Sequence, residues 1–336
     1  MQTQENFSLK AYNTFNIDVA AKQFASFENV DELIELIYQQ SSLPTLILGG
    51  GSNILFTKNF DGLILKNEIK GIQELHEDKE YVYVKAGAGE NWHSFVLYCM
   101  QRNWSGIENL SLIPGNVGAA PIQNIGAYGV ELENVFHSLE ACHLQEKRIY
   151  TFTRNDCEFG YRDSVFKRKY KSQFAIISVC FKLKKHPVFH TSYGAIQQEL
   201  DRMGIKDLSI QAISNAVINI RSSKLPDPKQ IPNAGSFFKN PEIDTAKYEE
   251  LRSKYPGIIA YALPNARYKL AAGWMIEQCG WKGVRRGDAG CHAQQALVLV
   301  NYGTASGKQV YDLSEEILLS VNEKFGILLE REVNIF

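Results

Sequence analysis

Apolar positions along the chain follow two periods. Over residues 30–40, Leu33, Ile34, Leu36 and Ile37 recur at helical spacing. Similar patterns predict helices over residues 92–100, 193–203, 210–224, 247–254, 270–278 and 307–325. Alternation or short apolar runs predict strands at residues 45–48, 81–86, 136–144, 148–152, 174–183, 296–300 and 327–335. Residues 233–241 read as a glycine-containing turn. Residues 103–131 hold seven Gly or Pro residues, few charges and no clear period. A loop of that length is uncommon in a compact domain unless it has a function. The texture is α+β, and it changes between residues 185 and 220.

A chain of 336 residues exceeds one ordinary core, so two or three domains are expected. With 45% hydrophobic and 22% charged residues, the composition is that of an ordered globular protein. Lys and Arg number 36 against 37 Asp and Glu. This balance gives no global case for nucleic acid or an anionic membrane, so neither is expected as a partner. The polar N-terminus reads as neither signal peptide nor anchor. The six cysteines are irregularly spaced without a CxxC pair. No metal site is expected, and a cytoplasmic location fits best.

Two glycine clusters carry candidate chemistry. Gly49, Gly50 and Gly51, followed by Ser52 and Asn53, come directly after a predicted strand. Glycines let backbone N–H groups approach a phosphate and form an anion nest. A tight turn explains the cluster equally well. It lacks both the Lys-Ser/Thr ending of a P-loop and the G-x-G-x-x-G spacing of a dinucleotide fold, which argues against a nucleotide hydrolase. The second cluster runs from Ile113 through Pro114, Gly115, Asn116, Val117 and Gly118 to Ile122, Gly126, Tyr128 and Gly129. Small residues alternate with apolar ones there, as suits a dinucleotide cofactor with a flat ring.

Candidate proton chemistry lies elsewhere. Ser236 stands between Gly235 and Phe237-Phe238 without a nucleophile elbow, so it is either a proton donor or a turn hydroxyl. Arg162, in Gly160-Tyr161-Arg162-Asp163, is either an enolate-stabilising cation or half of a salt bridge with Asp163. Arg221, Lys224 and Lys229 surround a Leu225-Pro226-Asp227-Pro228 turn that is either a pyrophosphate contact or a solvated face. Lys239 and Asn240 are further phosphate candidates. Glu332 sits in the last predicted strand, on the face opposite Val333.

Read in order, Thr14-Phe15, Gly49 to Asn53, residues 113–129, Gly160-Tyr161-Arg162, Lys224 to Pro228, Asn233 to Pro241 and Ala271 to Trp274 resemble the UDP-N-acetylenolpyruvoylglucosamine reductase (MurB) family across nearly the whole chain. The resemblance implies an α+β fold, with an FAD-binding domain pair of the vanillyl-alcohol-oxidase (PCMH) type and a C-terminal substrate-binding α+β domain. The implied domains are 1–70 and 71–200 for FAD and 201–326 for substrate, with 327–336 returning to the flavin site. The resemblance further implies FAD and NADPH as cofactors, a nucleotide-sugar substrate and a monomer. Arg162, Ser236 and Glu332 match its catalytic residues. Gly49 to Asn53, Pro114 to Gly118, Ile122 and Gly126 match its cofactor loops. Tyr128, Tyr193, Lys224 and Asn240 look like its substrate contacts, and Tyr193 suggests the type I subtype with an extra substrate-covering loop. Two rivals remain. One is an oxidase of the same fold with flavin tethered through His or Cys, for which His93 and Cys99 lie near the loops. The other is an idle flavin or nucleotide-sugar binder.

Overall fold

The computed structural model describes residues 2–39, 43–264 and 266–336. The chain folds as two compact units. The first is made of residues 2–7, 21–51 and 61–223; the second of residues 8–20, 52–60 and 224–336.

The first unit holds two sheets. Gln4–Ser8, Ala20–Phe27, Phe60–Asn67 and Thr45–Leu48 lie side by side in that order. The last two pair in parallel, Thr45 against Leu63 and Leu48 against Lys66. Helix Val30–Gln39 buries Leu33 and Leu36 on a core shared with Phe27, Leu63 and Leu65. The second sheet is antiparallel, in the order Ile149–Thr153, Phe136–His143, Phe174–Lys184, Tyr81–Gly87, Ile72–Glu77. Its central strand, Phe174–Lys184, is buried along most of its length, as its unbroken apolar run requires. Helix Trp92–Gln101 packs Phe95 on Phe181, with ring centroids 4.7 Å apart. The long segment expected to be a working loop folds as three short 3-10 turns, Glu108–Leu110, Val117–Ala119 and Pro121–Gln123, and a small hairpin of Gly126–Ala127 with Val130–Glu131. Helices Gly194–Arg202 and Ile210–Lys224 share an apolar seam of Ile196, Leu200, Ile213, Val217 and Ile220.

The second unit is built on a sheet ordered Asn233–Ser236, Val298–Asn301, Ala289–Cys291, Arg285–Arg286. A three-stranded sheet of Glu242–Asp244, Arg267–Leu270 and Ala260–Leu263 adjoins helix Thr245–Lys254. Helix Gly307–Phe325 buries Val310, Leu313, Ile317 and Val321 on a core that also takes Phe15, Ile17 and Leu55.

Three expectations are corrected. The turn expected at residues 233–241 begins as a strand, because Asn233 and Ser236 pair with Val300 and Val298; an irregular register between them is absorbed at Gly235, where φ is +71°. The helix expected over residues 270–278 begins only at Ala272, Leu270 being the end of a strand. Residues 327–335 do not form one strand. Ile327, Leu329 and Val333 are buried while Leu328 is 75% exposed, so the alternation is real. The hydrogen bonds, however, change partner. Lys239 N–H donates to Glu330 O and Glu332 N–H to Phe237 O; then Asn334 N–H donates to Asn53 O and Phe336 N–H to Leu55 O. Only Asn334–Ile335 qualifies as a strand, parallel to Ile54–Leu55.

Candidate active site

In the first unit the two glycine clusters meet. A Cβ built on Gly50 would lie 2.8 Å from Asn116 Oδ1 and 2.9 Å from Gly115 Cα. One on Gly118 would lie 2.5 Å from the Ala88 Cβ. Gly51 and Gly115 turn with φ of +64° and +110°, which glycine adopts without strain. Asn116 fixes the approach by donating from Nδ2 to Gly89 O at 2.9 Å. Val117 N–H and Gly118 N–H are spent on Glu90 O and Ala88 O. Those two residues therefore offer a bound phosphate packing surface and no backbone donor. Neither residues 49–57 nor residues 109–130 contain an acidic or basic side chain. An anion held between these loops meets no carboxylate of their own, so the cradle fits a pyrophosphate-bearing cofactor such as FAD. Gly50→Ala is expected to cost about 1–3 kcal/mol of unfolding free energy through overpacking against Gly115. Denaturant titration checks this, and an unchanged midpoint would mean that the two loops do not bear on each other.

Behind the second cluster lies a cationic group. Arg162 occupies the left-handed region, φ +53°, in a tight turn where Gly160 and Asp163 exchange backbone hydrogen bonds at 3.1 Å each way. Backbone strain of this kind clusters at functional sites. The guanidinium donates to Gly126 O at 2.6 Å. Asp163 pairs with Arg168. Arg221, near the C-terminal end of its helix, donates from Nε to Leu112 O at 3.2 Å and lies close to the Tyr128 hydroxyl. Burial pushes its guanidinium pKa down; the Tyr128 hydroxyl opposes that shift and the nearby positive charge of Arg162 adds to it. Arginine remains charged at neutral pH regardless. Burial pushes the Tyr128 hydroxyl up, against the pull of Arg221. Tyr128 itself has φ +50°, and its ring meets Tyr193 edge-on at 5.6 Å. Ile122 belongs to the turn Pro121–Gln123, and its carbonyl accepts from Ser164 Oγ at 2.7 Å.

In the second unit, Ser236 follows the positive-φ Gly235, whose missing Cβ faces nothing within 4 Å. Phe237 and Phe238, both fully buried, anchor the segment behind it. Glu332 is half-buried and its N–H donates to Phe237 O at 2.8 Å, while its carbonyl accepts from Asn53 Nδ2 at 3.4 Å. Val333 is buried, as the expected alternation requires. Within this unit Glu332 thus bonds on one side to Phe237, the residue after Ser236, and on the other to Asn53. Ser52 is half-buried next to Asn53. Lys239 is neutralised by Glu330, Nζ to Oε1 2.6 Å. Asn240 accepts the N–H of Ala272 at 2.9 Å, leaving its amide nitrogen for another acceptor. Lys224 is exposed and has no ion-pair partner among the described residues. Tyr193, 44% exposed, leads helix Gly194–Arg202.

The oxidase alternative loses one of its two candidate tethers. Cys99 is fully buried in the hydrophobic core, and the His93 Nδ1 accepts from Leu112 N–H at 3.0 Å. Arg221, in sequence either a pyrophosphate contact or part of a solvated face, lies instead beside Tyr128 and Arg162. Its signal was present in the basic turn, but its buried tyrosine partner is remote in sequence. Among the described residues no group of three or more His, Cys, Asp or Glu stands ready for a metal, and no helix is long and apolar enough to cross a membrane.

Residues 227–336 match the family model of the UDP-N-acetylenolpyruvoylglucosamine reductase C-terminal domain, and residues 21–145 match that of an FAD binding domain. The chain is 53% identical over 337 residues to the UDP-N-acetylenolpyruvoylglucosamine reductase of Amoebophilus asiaticus, covering 100% of this chain and 99% of the relative. It is 48% identical to that of Flavobacterium johnsoniae, covering 100% of both. The crystal structure of the Thermus caldophilus reductase (MurB) superposes with a TM-score of 0.71 at 24% identity, over 100% of this chain and 99% of that one, a likeness of fold. The architecture is therefore α+β, an FAD-binding region followed by the C-terminal domain of this reductase family.

Proposed function

This chain belongs to the UDP-N-acetylenolpyruvoylglucosamine reductase family, and on that premise we propose that it reduces the enolpyruvyl group of UDP-N-acetylglucosamine enolpyruvate with electrons from NADPH, yielding UDP-N-acetylmuramate. An FAD-dependent oxidoreductase of peptidoglycan precursor synthesis is what the family brings. The reductant and the residue roles are our reading. The observation that carries it is Arg221, a guanidinium held beside Arg162 by a carbonyl and a tyrosine, with no carboxylate partner among the described residues. Charge placed this way is set for an anionic ligand.

FAD, once reduced by NADPH, would supply a hydride to the methylene carbon of the enol ether. An enol ether is electron-rich and accepts hydride only if the charge that develops on its carboxylate side is neutralised. Arg162, aided by Arg221, holds that carboxylate and stabilises the enolate-like species. Glu332, as the protonated acid, donates a hydrogen bond at the same developing charge. Ser236 gives its hydroxyl proton to the adjacent carbon, setting its stereochemistry, and regains a proton from water. Hydride and proton together saturate the double bond. Gly49 to Asn53 and Pro114 to Gly118, with Ile122 and Gly126, line the cofactor. Tyr128, Tyr193, Lys224 and the amide nitrogen of Asn240 take the nucleotide-sugar, and Tyr193 marks the type I subtype. The division into 1–70, 71–200 and 201–326, with 327–336 serving the flavin region, belongs to the same reading. A monomer in the cytoplasm fits unpaired, mostly buried thiols and a cytoplasmic nucleotide-sugar.

The test is a visible spectrum of the purified protein. Flavin peaks should bleach with NADPH and return, without oxygen, only when the enolpyruvyl UDP-sugar is added. A colourless protein that FAD cannot reconstitute, or a yellow one reoxidised by oxygen alone, would overturn the reading.

A further inference from the structure

His93 has no role in the chemistry above, yet it sits one residue away from the arginine that carries it. The imidazole is the second residue of helix Trp92–Gln101 and is half-buried. Its Nδ1 accepts the N–H of Leu112 at 3.0 Å. The carbonyl of the same Leu112 accepts Nε of Arg221 at 3.2 Å. Leu112 presents both groups because its backbone is in the left-handed region, φ +58°, a conformation that a leucine does not adopt unaided. Neighbouring contacts clamp the segment. Trp92 Nε1 donates to Leu110 O at 2.9 Å, and the Ser111 hydroxyl meets Ser214, on the helix that carries Arg221, at 2.7 Å.

We propose that His93 is the positioning residue of Arg221, acting through the strained Leu112 peptide to hold the guanidinium at the angle that receives the substrate's anionic group. An Nδ1 that accepts a hydrogen bond is unprotonated, so the working form is the neutral imidazole with its proton on Nε2. Burial and the Arg221 charge both push the His93 pKa down, which keeps this form populated. A protonated His93 would lose its acceptor and set a second cation beside Arg221. If the Leu112 peptide relaxes out of the left-handed region, its carbonyl swings away from Arg221 Nε and the guanidinium loses its fixed fork. The inference rests on the reading of Arg221 as a substrate-binding residue.

The test uses the FAD-loaded full chain and reads binding rather than turnover, from the perturbation of the flavin spectrum on titration with the enolpyruvyl UDP-sugar. The oxygen of an asparagine can stand where Nδ1 stands, whereas a glutamine places its oxygen one bond farther out. His93→Gln is expected to raise the sugar Kd about 10-fold or more, and His93→Asn to restore it to within about threefold of the parent. In an Arg221→Met background, His93→Gln should add nothing further. Equal affinity for His93→Gln and the parent overturns the proposal, as does a His93→Asn enzyme as weak as His93→Gln. A His93→Gln enzyme that sheds flavin along with substrate also overturns it, because the imidazole would then be holding the fold. If Arg221→Met itself binds the sugar like the parent, the substrate role of Arg221 fails, and the role of His93 with it. Weak binding by Arg221→Met beside normal binding by His93→Gln removes His93 alone.

Discussion

Ser236→Ala should lower kcat by about 10³-fold, the middle of the range for a lost general acid, while flavin content and sugar affinity stay near the parent values. The structure makes this substitution unusually clean. Ser236 is half-exposed, and its hydroxyl has no hydrogen-bond partner among the described residues. Its backbone is fixed from two sides, by the pairing with Val298 and by the buried Phe237 and Phe238. Alanine therefore removes the proton and nothing that the fold uses. Gly235, at φ +71°, turns the strand at this point, and the open space beside it leaves the serine approachable. Single-turnover reoxidation of the NADPH-reduced enzyme by the enolpyruvyl sugar isolates the step. A rate within threefold of the parent would remove Ser236 from the mechanism.

Gly307→Ala should destabilise the protein by about 3 kcal/mol, the upper end of the usual overpacking cost. The sign runs against helix propensity, which favours alanine over glycine by about 1 kcal/mol in a helix interior. Gly307 is the first residue of helix Gly307–Phe325, capped by Ser306 in a capping box with Gln309. A Cβ there would fall 1.7 Å from the Phe56 carbonyl oxygen and 2.7 Å from its carbon. These are backbone atoms of the segment that follows Ile54–Leu55, and Phe336 N–H already donates to Leu55 O while Phe336 O accepts from Thr57 N–H. Neither side of the contact can step aside without breaking hydrogen bonds. Urea titration checks the sign, and a neutral or stabilising result would mean that the helix start does not press on that carbonyl.

The contrast between these two residues describes what sequence makes legible. Ser236 was noticed because a serine between glycine and aromatics is locally odd. Gly307 was only the start of a helix, since its reason for being glycine lies 251 residues away in Phe56. Helices with both a period and terminal signals were found with their ends. Gly307–Phe325, stopped by Gly326 at φ +64°, and Ile210–Lys224 are the cases in point. The buried strand Phe174–Lys184 was legible for a related reason, an unbroken apolar run. The edge strands Gln4–Ser8 and Ile72–Glu77 went unseen because almost none of their side chains is buried, so no alternation is written into them. Residues 327–335 carry the right alternation but divide their hydrogen bonds between two partners, which no local pattern encodes. At the site, consecutive glycines announced themselves. Arg221 was only half legible: the basic turn marked it as a pyrophosphate contact or a solvated charge, and its Tyr128 neighbour is supplied by the fold.

The second unit is discontinuous, and this has a consequence for synthesis. Residues 8–20 and 52–60 leave the ribosome early, yet the rest of their unit begins only at Lys224. At ordinary translation rates the intervening stretch takes roughly 10 to 30 seconds to make. Through that interval Phe15, Ile17, Leu55 and Phe56, all of them buried in the finished protein, have no core to enter, while the residues of the first unit are complete by Ser223. The nascent chain is therefore expected to carry two apolar segments in search of cover beside a unit already able to fold. Their protection by a chaperone, rather than the stability of the finished enzyme, is what should set the yield of active protein when expression is fast.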